Sequence, residues 1–516
     1  MSYEMYRQQF EGESFNDLMV DVMKGTPWVI LSVLLHGVLG LILWLFSGNE
    51  EPKKVPPQAE ARLDDEPIEE EEEEEEEPEE EEPEPEELVE DPVEVDEEVD
   101  DHDEDETNEE YEEVRGEEDE INDKPMDASS NNDAIGLGGG AGGKFGGRRG
   151  GRKRARKGRG RRGQQAVDKG LEWLANHQSK DGSWDCDEFM KNGDAAKGPL
   201  CDGKGGALYD VGVSGLALLA FLGAGETHRS GTYKKTVRDG LKWLKDQQDG
   251  EGCFGPQTTS QFTYNHSIAT LAMCEAYGLT KSPLFLEPAK KGVQFVLQCQ
   301  NPYKAWRYGI ANGDNDTSVT GWMVMALKSA KMAGIPVDDA PMEWALSWVE
   351  DMTDEDTGRT GYNTRGGLPV RETGKTEEFP AAEVESLTAV GMLCRVFAGQ
   401  NPEEHKMVKA GSDLLIEKLP QWDESKGSID MYYWYYGTLA MFQVSGPRWD
   451  TWNKAMEAAV VETQRGAKEG AKADNFTGSW DPKGAWGENG GRVYSTAIMT
   501  LCLEVYYRYG RVFGAK

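Results

Sequence analysis

Six stretches of the chain are apolar on most faces, with small residues throughout: 211–223, 267–278, 318–333, 385–397, 432–444 and 494–509. That pattern predicts helices buried on every side. Each is preceded by a more amphipathic stretch, so outer and inner helices alternate in about six pairs across residues 164–516. No strand alternation or hairpin signal of comparable strength competes with them, and the fold class reads as all-α. A seventh apolar run, PWVILSVLLHGVLGLILWLFS over residues 27–47, differs in kind. It approaches the ~20 residues that a bilayer core requires, and Trp28 and Trp44 sit near its ends where an aromatic belt would place them. Glu11, Glu13, Asp17 and Asp21 precede it, which argues against a cleaved signal peptide. The expectation is a retained transmembrane helix behind a short cytoplasmic segment, residues 1–26.

Self-similarity supports the paired-helix reading. Residues 169–184 read KGLEWLANHQSKDGSW and residues 239–254 read DGLKWLKDQQDGEGCF. The spacing is shared by Gly170/Gly240, Trp173/Trp243, Gln178/Gln248, Gly182/Gly252 and Trp184/Phe254. A third copy runs from Gly292 through Gln300 to Trp306, with Lys304 in place of its glycine. Weaker copies follow, the last at 454–464 and rejoined by Gly478-Ser479-Trp480. The pattern resembles the QW repeat of squalene cyclases and the related protein-prenyltransferase repeat. The resemblance implies an (α/α)6 toroid, in which residues near the ends of the inner helices line a cavity. The glutamine is expected to satisfy bare N–H groups at a neighbouring helix start, with the aromatic covering that joint.

Charge then divides the rest of the chain. The net charge is −41, and residues 48–135 hold most of it, in a tract with interspersed proline and an unbroken glutamate run at 69–77. Such a tract buries too little apolar surface to offset its ordering entropy and reads as a disordered spacer. Residues 136–163 switch to glycine with lysine and arginine. Nucleic acid, anionic lipid or an acidic polymer would suit this basic linker electrostatically. Apart from Phe145 it lacks aromatics for base stacking, and a periplasmic position would make nucleic acid an unlikely partner. Contact with the acidic tract or the envelope is preferred.

The membrane run carries Ser32 and His36, four apart and so on one helix face. Together with the Pro/Glu-rich spacer it resembles the anchor of TonB-type energy transducers. That implies a single pass through a bacterial-type inner membrane, an inward N-terminus, a periplasmic toroid and an ion-driven motor as partner. The bland alternative is a histidine facing a partner helix or snorkelling.

Candidate chemistry is altered where the resemblance would put it. Squalene cyclases protonate their substrate with the central acid of Asp-x-Asp-Asp-Thr. Here Gly313-Asp314-Asn315-Asp316-Thr317 puts an amide at that place, and an amide supplies no proton. Asp314 and Asp316 remain the candidate acids. The zinc set of prenyltransferases, an Asp, a Cys and a His, has no match in register; the six histidines are scattered and no CxxC occurs. No metal or cofactor is expected. Residues near the inner-helix starts are candidates for the cavity: Asp210, His266, Glu385, Tyr433, Tyr436 and Tyr494. Helix capping is the plainer role for the acids. Cys186 and Cys201 flank one loop and would be placed to bridge outside the cytoplasm. The expected function is a membrane-anchored toroid that binds an apolar, isoprenoid-like ligand or a polypeptide without the relatives' chemistry. An isoprenoid-processing enzyme using Asp314 or Asp316 is the alternative, and a TonB-like transducer the second.

Overall fold

In a computed structural model the chain is described at residues 148–157 and 161–508, apart from 260, 467–469 and 471. The transmembrane expectation at 27–47, with Ser32 and His36, and the acidic tract lie outside the described residues. No described helix is long and apolar enough to cross a membrane.

Six inner helices form the core: α3 (Asp210–Gly223), α5 (Phe262–Thr280), α7 (Thr317–Ala333), α9 (Ser386–Phe397), α11 (Met431–Val444) and α13 (Gly487–Leu503). Each packs on the next, and α13 packs back on α3, so the ring closes. Nearly every residue in them is buried, as their all-round apolar pattern requires. Six outer helices surround them: α2 (Arg161–Asn176), α4 (Lys234–Asp246), α6 (Pro283–Cys299), α8 (Ala340–Met352), α10 (Lys406–Glu417) and α12 (Gly446–Val461). The architecture is therefore an all-α toroid of six helix pairs. Among the described residues, β-structure is limited to two isolated bridges.

The repeat residues hold neighbouring outer helices together, though not with the polarity expected. Each glutamine amide donates two hydrogen bonds to carbonyls, rather than accepting from N–H groups. Gln178 Nε2 reaches Gly182 O (2.9 Å) and Thr236 O in α4 (2.9 Å). Gln248 repeats this with Gly252 O and Pro288 O in α6, and Gln300 with Lys304 O and Pro341 O in α8. Gln464 closes the circle, donating to Gly478 O (2.9 Å) and to Ala166 O in α2 (2.8 Å). A carbonyl has two lone pairs, so one already used inside a helix can take the second bond. The aromatics fit beneath: Trp184, Trp306 and Trp480 are wholly buried, each giving its indole N–H to a carbonyl of its own outer helix. Gly182 sits at φ +99°, and a Cβ there would lie 2.3 Å from Asp239 O, which is why the turn admits only glycine.

The ring also takes in part of the basic linker. Helix α1 (Arg148–Lys157) docks at the C-terminal ends of α3 and α5. Arg148 is 1 % exposed; its Nη1 meets Glu275 Oε2 at 2.9 Å and also the Leu222 carbonyl. Arg152 pairs with Glu226 (2.9 Å) and Asp168 (2.8 Å). At the other end of the chain, α14 (Val505–Arg508) brings Arg508 to the second oxygen of Glu275 at 2.8 Å. Burial alone would raise the Glu275 carboxyl, but the Arg508 and Arg148 guanidiniums outweigh it and hold it below the usual range. Arg148 and Arg152, from the segment expected to be a basic linker, thus make their contacts with the ring itself.

Candidate functional site

A cavity of about 410 Å³ opens among the N-terminal ends of the inner helices, within the usual range for small-molecule sites. Every inner helix contributes: Leu216 from α3, Tyr264 and Ile268 from α5, Trp322 from α7, Leu387 from α9, Tyr432 from α11 and Tyr494 from α13. Loops supply the remainder, including Arg307, Tyr308, Tyr362, Arg371 and Trp486. The walls are chiefly apolar and aromatic.

Phenols run through the wall as hydrogen-bonded chains. Tyr264 Oη donates to Ser318 Oγ (3.1 Å), which lies 2.9 Å from Tyr432 Oη. Tyr308 Oη meets Tyr362 Oη at 2.6 Å, and Tyr362 Oη donates to Asp316 Oδ2 at 3.1 Å. Asp316 is completely buried, caps α7 at Val319 N (2.7 Å), and has Arg307 Nε 3.7 Å away. Burial pushes its carboxyl up to about 7, against the pull of the Val319 N–H, the Tyr362 phenol and Arg307. Burial and then the Asp316 charge hold the Tyr362 phenol well above its ordinary range, so it remains a donor. Asp316 therefore reaches the cavity through Tyr362 rather than directly.

The other expected site residues are dispersed. Tyr494 lines the cavity. Tyr436 lies on the face of α11 that carries Tyr432, but one turn deeper, closed in by the rings of Trp322 (5.4 Å) and Tyr435 (5.5 Å). Tyr433 is turned outward by the helical step, its hydroxyl donating to Lys418 O at 2.9 Å and its ring against Trp452. His266 is not a cavity residue: its Nδ1 accepts from Phe254 N (3.1 Å) and its Nε2 faces Gly292 O (3.1 Å). Ser214, Thr320 and Thr496 accept the matching backbone N–H at the other aromatic joints, so His266 belongs to the repeat. Burial lowers its pKa to about 4. Glu385 is outside the cavity lining and accepts from Arg359 Nε and Nη2 and from the Thr388 hydroxyl. Asp314 is exposed on its loop, and Asn315 braces that loop by accepting from Ala305 N (2.9 Å) and Asn301 Nδ2 (3.0 Å).

Asp210 opens α3 and accepts from Cys186 N at 2.8 Å. Its carboxylate oxygen lies within 4.8 Å of those of Asp185 and Asp187. Burial first, offset by the Cys186 N–H and reinforced by those two charges, pushes it up to about 6. Cys186 and Cys201 are both free, buried thiols and do not bridge; one approaches Gly490 O (3.2 Å) and the other Asn475 O (2.9 Å).

The loop residues Arg307, Tyr308, Tyr362, Arg371 and Trp486 escape a search of helix starts. They come from connections with no periodic signal, and only their long-range packing brings them to the mouth.

No family model matches the chain, and no curated protein matches it. Solved structures with a similar course of the chain include an α-1,6-mannanase, GH76A, of Salegentibacter sp. HEL1_6 in complex with α-1,6-mannotriose (TM-score 0.44, 11 % identity, 66 % of this chain and 98 % of that one). An α-amylase from Clostridium perfringens matches with a TM-score of 0.41 at 12 % identity, over 66 % and 98 % of the two chains. The type II terpene cyclase MstE from Scytonema matches with a TM-score of 0.42 at 11 % identity, over 67 % and 97 %.

Proposed function

We propose that the toroid is a binding domain for an apolar, isoprenoid-like ligand, tethered by residues 27–47 to a bacterial-type inner membrane on its periplasmic side. The observation that carries this reading is the cavity itself: about 410 Å³, walled by Tyr, Trp, Leu and Ile side chains from all six inner helices. Burying the surface of such a ligand supplies roughly 25 cal/mol per Å², and the rings need little ordering to receive it. Neither the zinc chemistry nor the cyclase chemistry of the repeat's relatives is part of this reading. Native mass spectrometry of the full chain released from its own membrane tests it: a co-purifying isoprenoid is expected, and its repeated absence overturns the reading.

A second reading has one observation in its favour. Asp316, with its carboxyl pushed up to about 7, is tied to the cavity wall through Tyr362. An acid titrating near neutrality suits proton transfer, so the ring would process an isoprenoid with Tyr362 as the group facing it. A cyclised product formed by the native chain and not by Asp316→Asn supports this; an isoprenoid recovered unchanged from the native chain ends it.

A further inference from the structure

The polar groups around the cavity divide by what they have left to offer. Its two buried carboxylates, Asp430 and Asp316, are committed, and Glu372 is exposed. Asp430 caps α11 at Tyr433 N (2.9 Å) and pairs with Arg371 Nη1 (2.9 Å). Asp316 accepts from Val319 N and Tyr362 Oη. Glu372 accepts from Asn489 Nδ2 at 2.8 Å. Several donors are not committed. Arg371 Nη2, Trp486 Nε1 and Arg307 Nε are buried N–H groups without a hydrogen-bond partner. All three belong to side chains that donate and never accept.

Their placement is specific. Arg371 has a side chain only 2 % exposed, anchored by Nε to Phe379 O (3.0 Å), and lies 6.0 Å from the Trp486 ring. Arg307 keeps about a quarter of its side chain exposed, 5.3 Å from the Tyr308 ring and 5.5 Å from that of Tyr362. Its nearest carboxylate oxygen is 3.7 Å away, too far for a hydrogen bond. An unpaired buried donor is costly, and a ligand rich in acceptors removes that cost. The N-terminal ends of the inner helices surround the same space and add positive potential.

We infer that the ligand is an amphiphile, whose apolar body lies against the aromatic wall and whose anionic head, a carboxylate or a phosphate, is held by Arg307 beside the Arg371–Trp486 donors. The inference rests on the reading of the cavity as an apolar-ligand site and adds the chemical class of the head. Arg307 offers a planar fork that matches either oxyanion in two-point contact.

The test compares three probes of one carbon skeleton: geraniol, geranate and geranyl monophosphate. Binding is measured by quenching of tryptophan fluorescence in the full chain in lipid nanodiscs, with empty nanodiscs subtracted. At least one anion is expected to bind about tenfold or more tighter than geraniol, the range of a charge-assisted contact, and the order of the two anions identifies the head. Arg307→Met is expected to remove that preference, while Arg307→Lys retains part of it. If geraniol binds as tightly as both anions, or if Arg307→Met keeps the preference, the head assignment is overturned. If none of the three binds, the apolar-ligand reading itself falls.

Discussion

Asp316 holds a buried carboxyl behind the cavity wall. Its folded carboxyl titrates near 7 against an ordinary 3.8. Between those values the folded chain holds a proton that the unfolded chain has released, so stability declines as pH rises through that window. Asp316→Asn keeps an oxygen for Val319 N and removes the titration. Its melting temperature is therefore expected to fall less steeply than the native one between pH 4 and pH 7, by thermal denaturation across that range; parallel profiles would falsify the assignment. The repeat glutamines give a second residue-scale expectation. Gln464 is 5 % exposed and donates to two carbonyls. Gln464→Ala should cost about 1–3 kcal/mol in chemical denaturation, since each net hydrogen bond contributes about 0.5–1.5 kcal/mol. Gly182→Ala should cost well over 1 kcal/mol, from a positive φ combined with the close approach to Asp239 O.

Among the elements, α1 shows most clearly why charge patterning is hard to read from sequence. Residues 148–157 have the composition of a soluble basic linker, and nothing local distinguishes Arg148 or Arg152 from the exposed Arg149. The distinction comes from Glu275 and Glu226, more than seventy residues away. A chain shortened to begin at residue 164 would leave Glu275 with Arg508 alone and strip Arg152 from Glu226. Breaking a buried pair by removing one partner costs roughly 3–5 kcal/mol. The shortened chain should show a clearly lower melting temperature, or little soluble yield, beside one beginning at residue 146; equal stability would make α1 dispensable. The inner helices were far easier to anticipate, because burial on all faces leaves a continuous apolar run. Their starts are less legible. On α11 the run from Tyr432 to Tyr436 names the right element, yet the helical step decides that Tyr432 faces the cavity and Tyr433 faces Lys418.

For the molecule as a whole, closure was legible and the site was legible only in part. Six apolar runs and the recurring Gly, Gln and aromatic spacing point to a ring, and four of the copies make the same bond to the next outer helix. The altered motif at Gly313 to Thr317 was visible too, and the structure gives Asn315 a bracing role in the loop. What sequence spacing does not carry is the convergence of Arg307, Tyr362, Arg371 and Trp486 from separate connections. They meet only once the ring has closed.

One feature of that ring governs how a ligand approaches it. Helix α1 enters at the carboxyl ends of α3 and α5, whereas the cavity lies at their amino ends. On α3 the cavity wall ends at Leu216, and Leu222, which accepts from Arg148, lies six residues or about 9 Å further along, at ~1.5 Å per residue. Helix α1 thus joins the ring at the end opposite the cavity mouth. A ligand entering the mouth does not pass α1, and the Arg148–Glu275 pair lies outside the walls that would receive it.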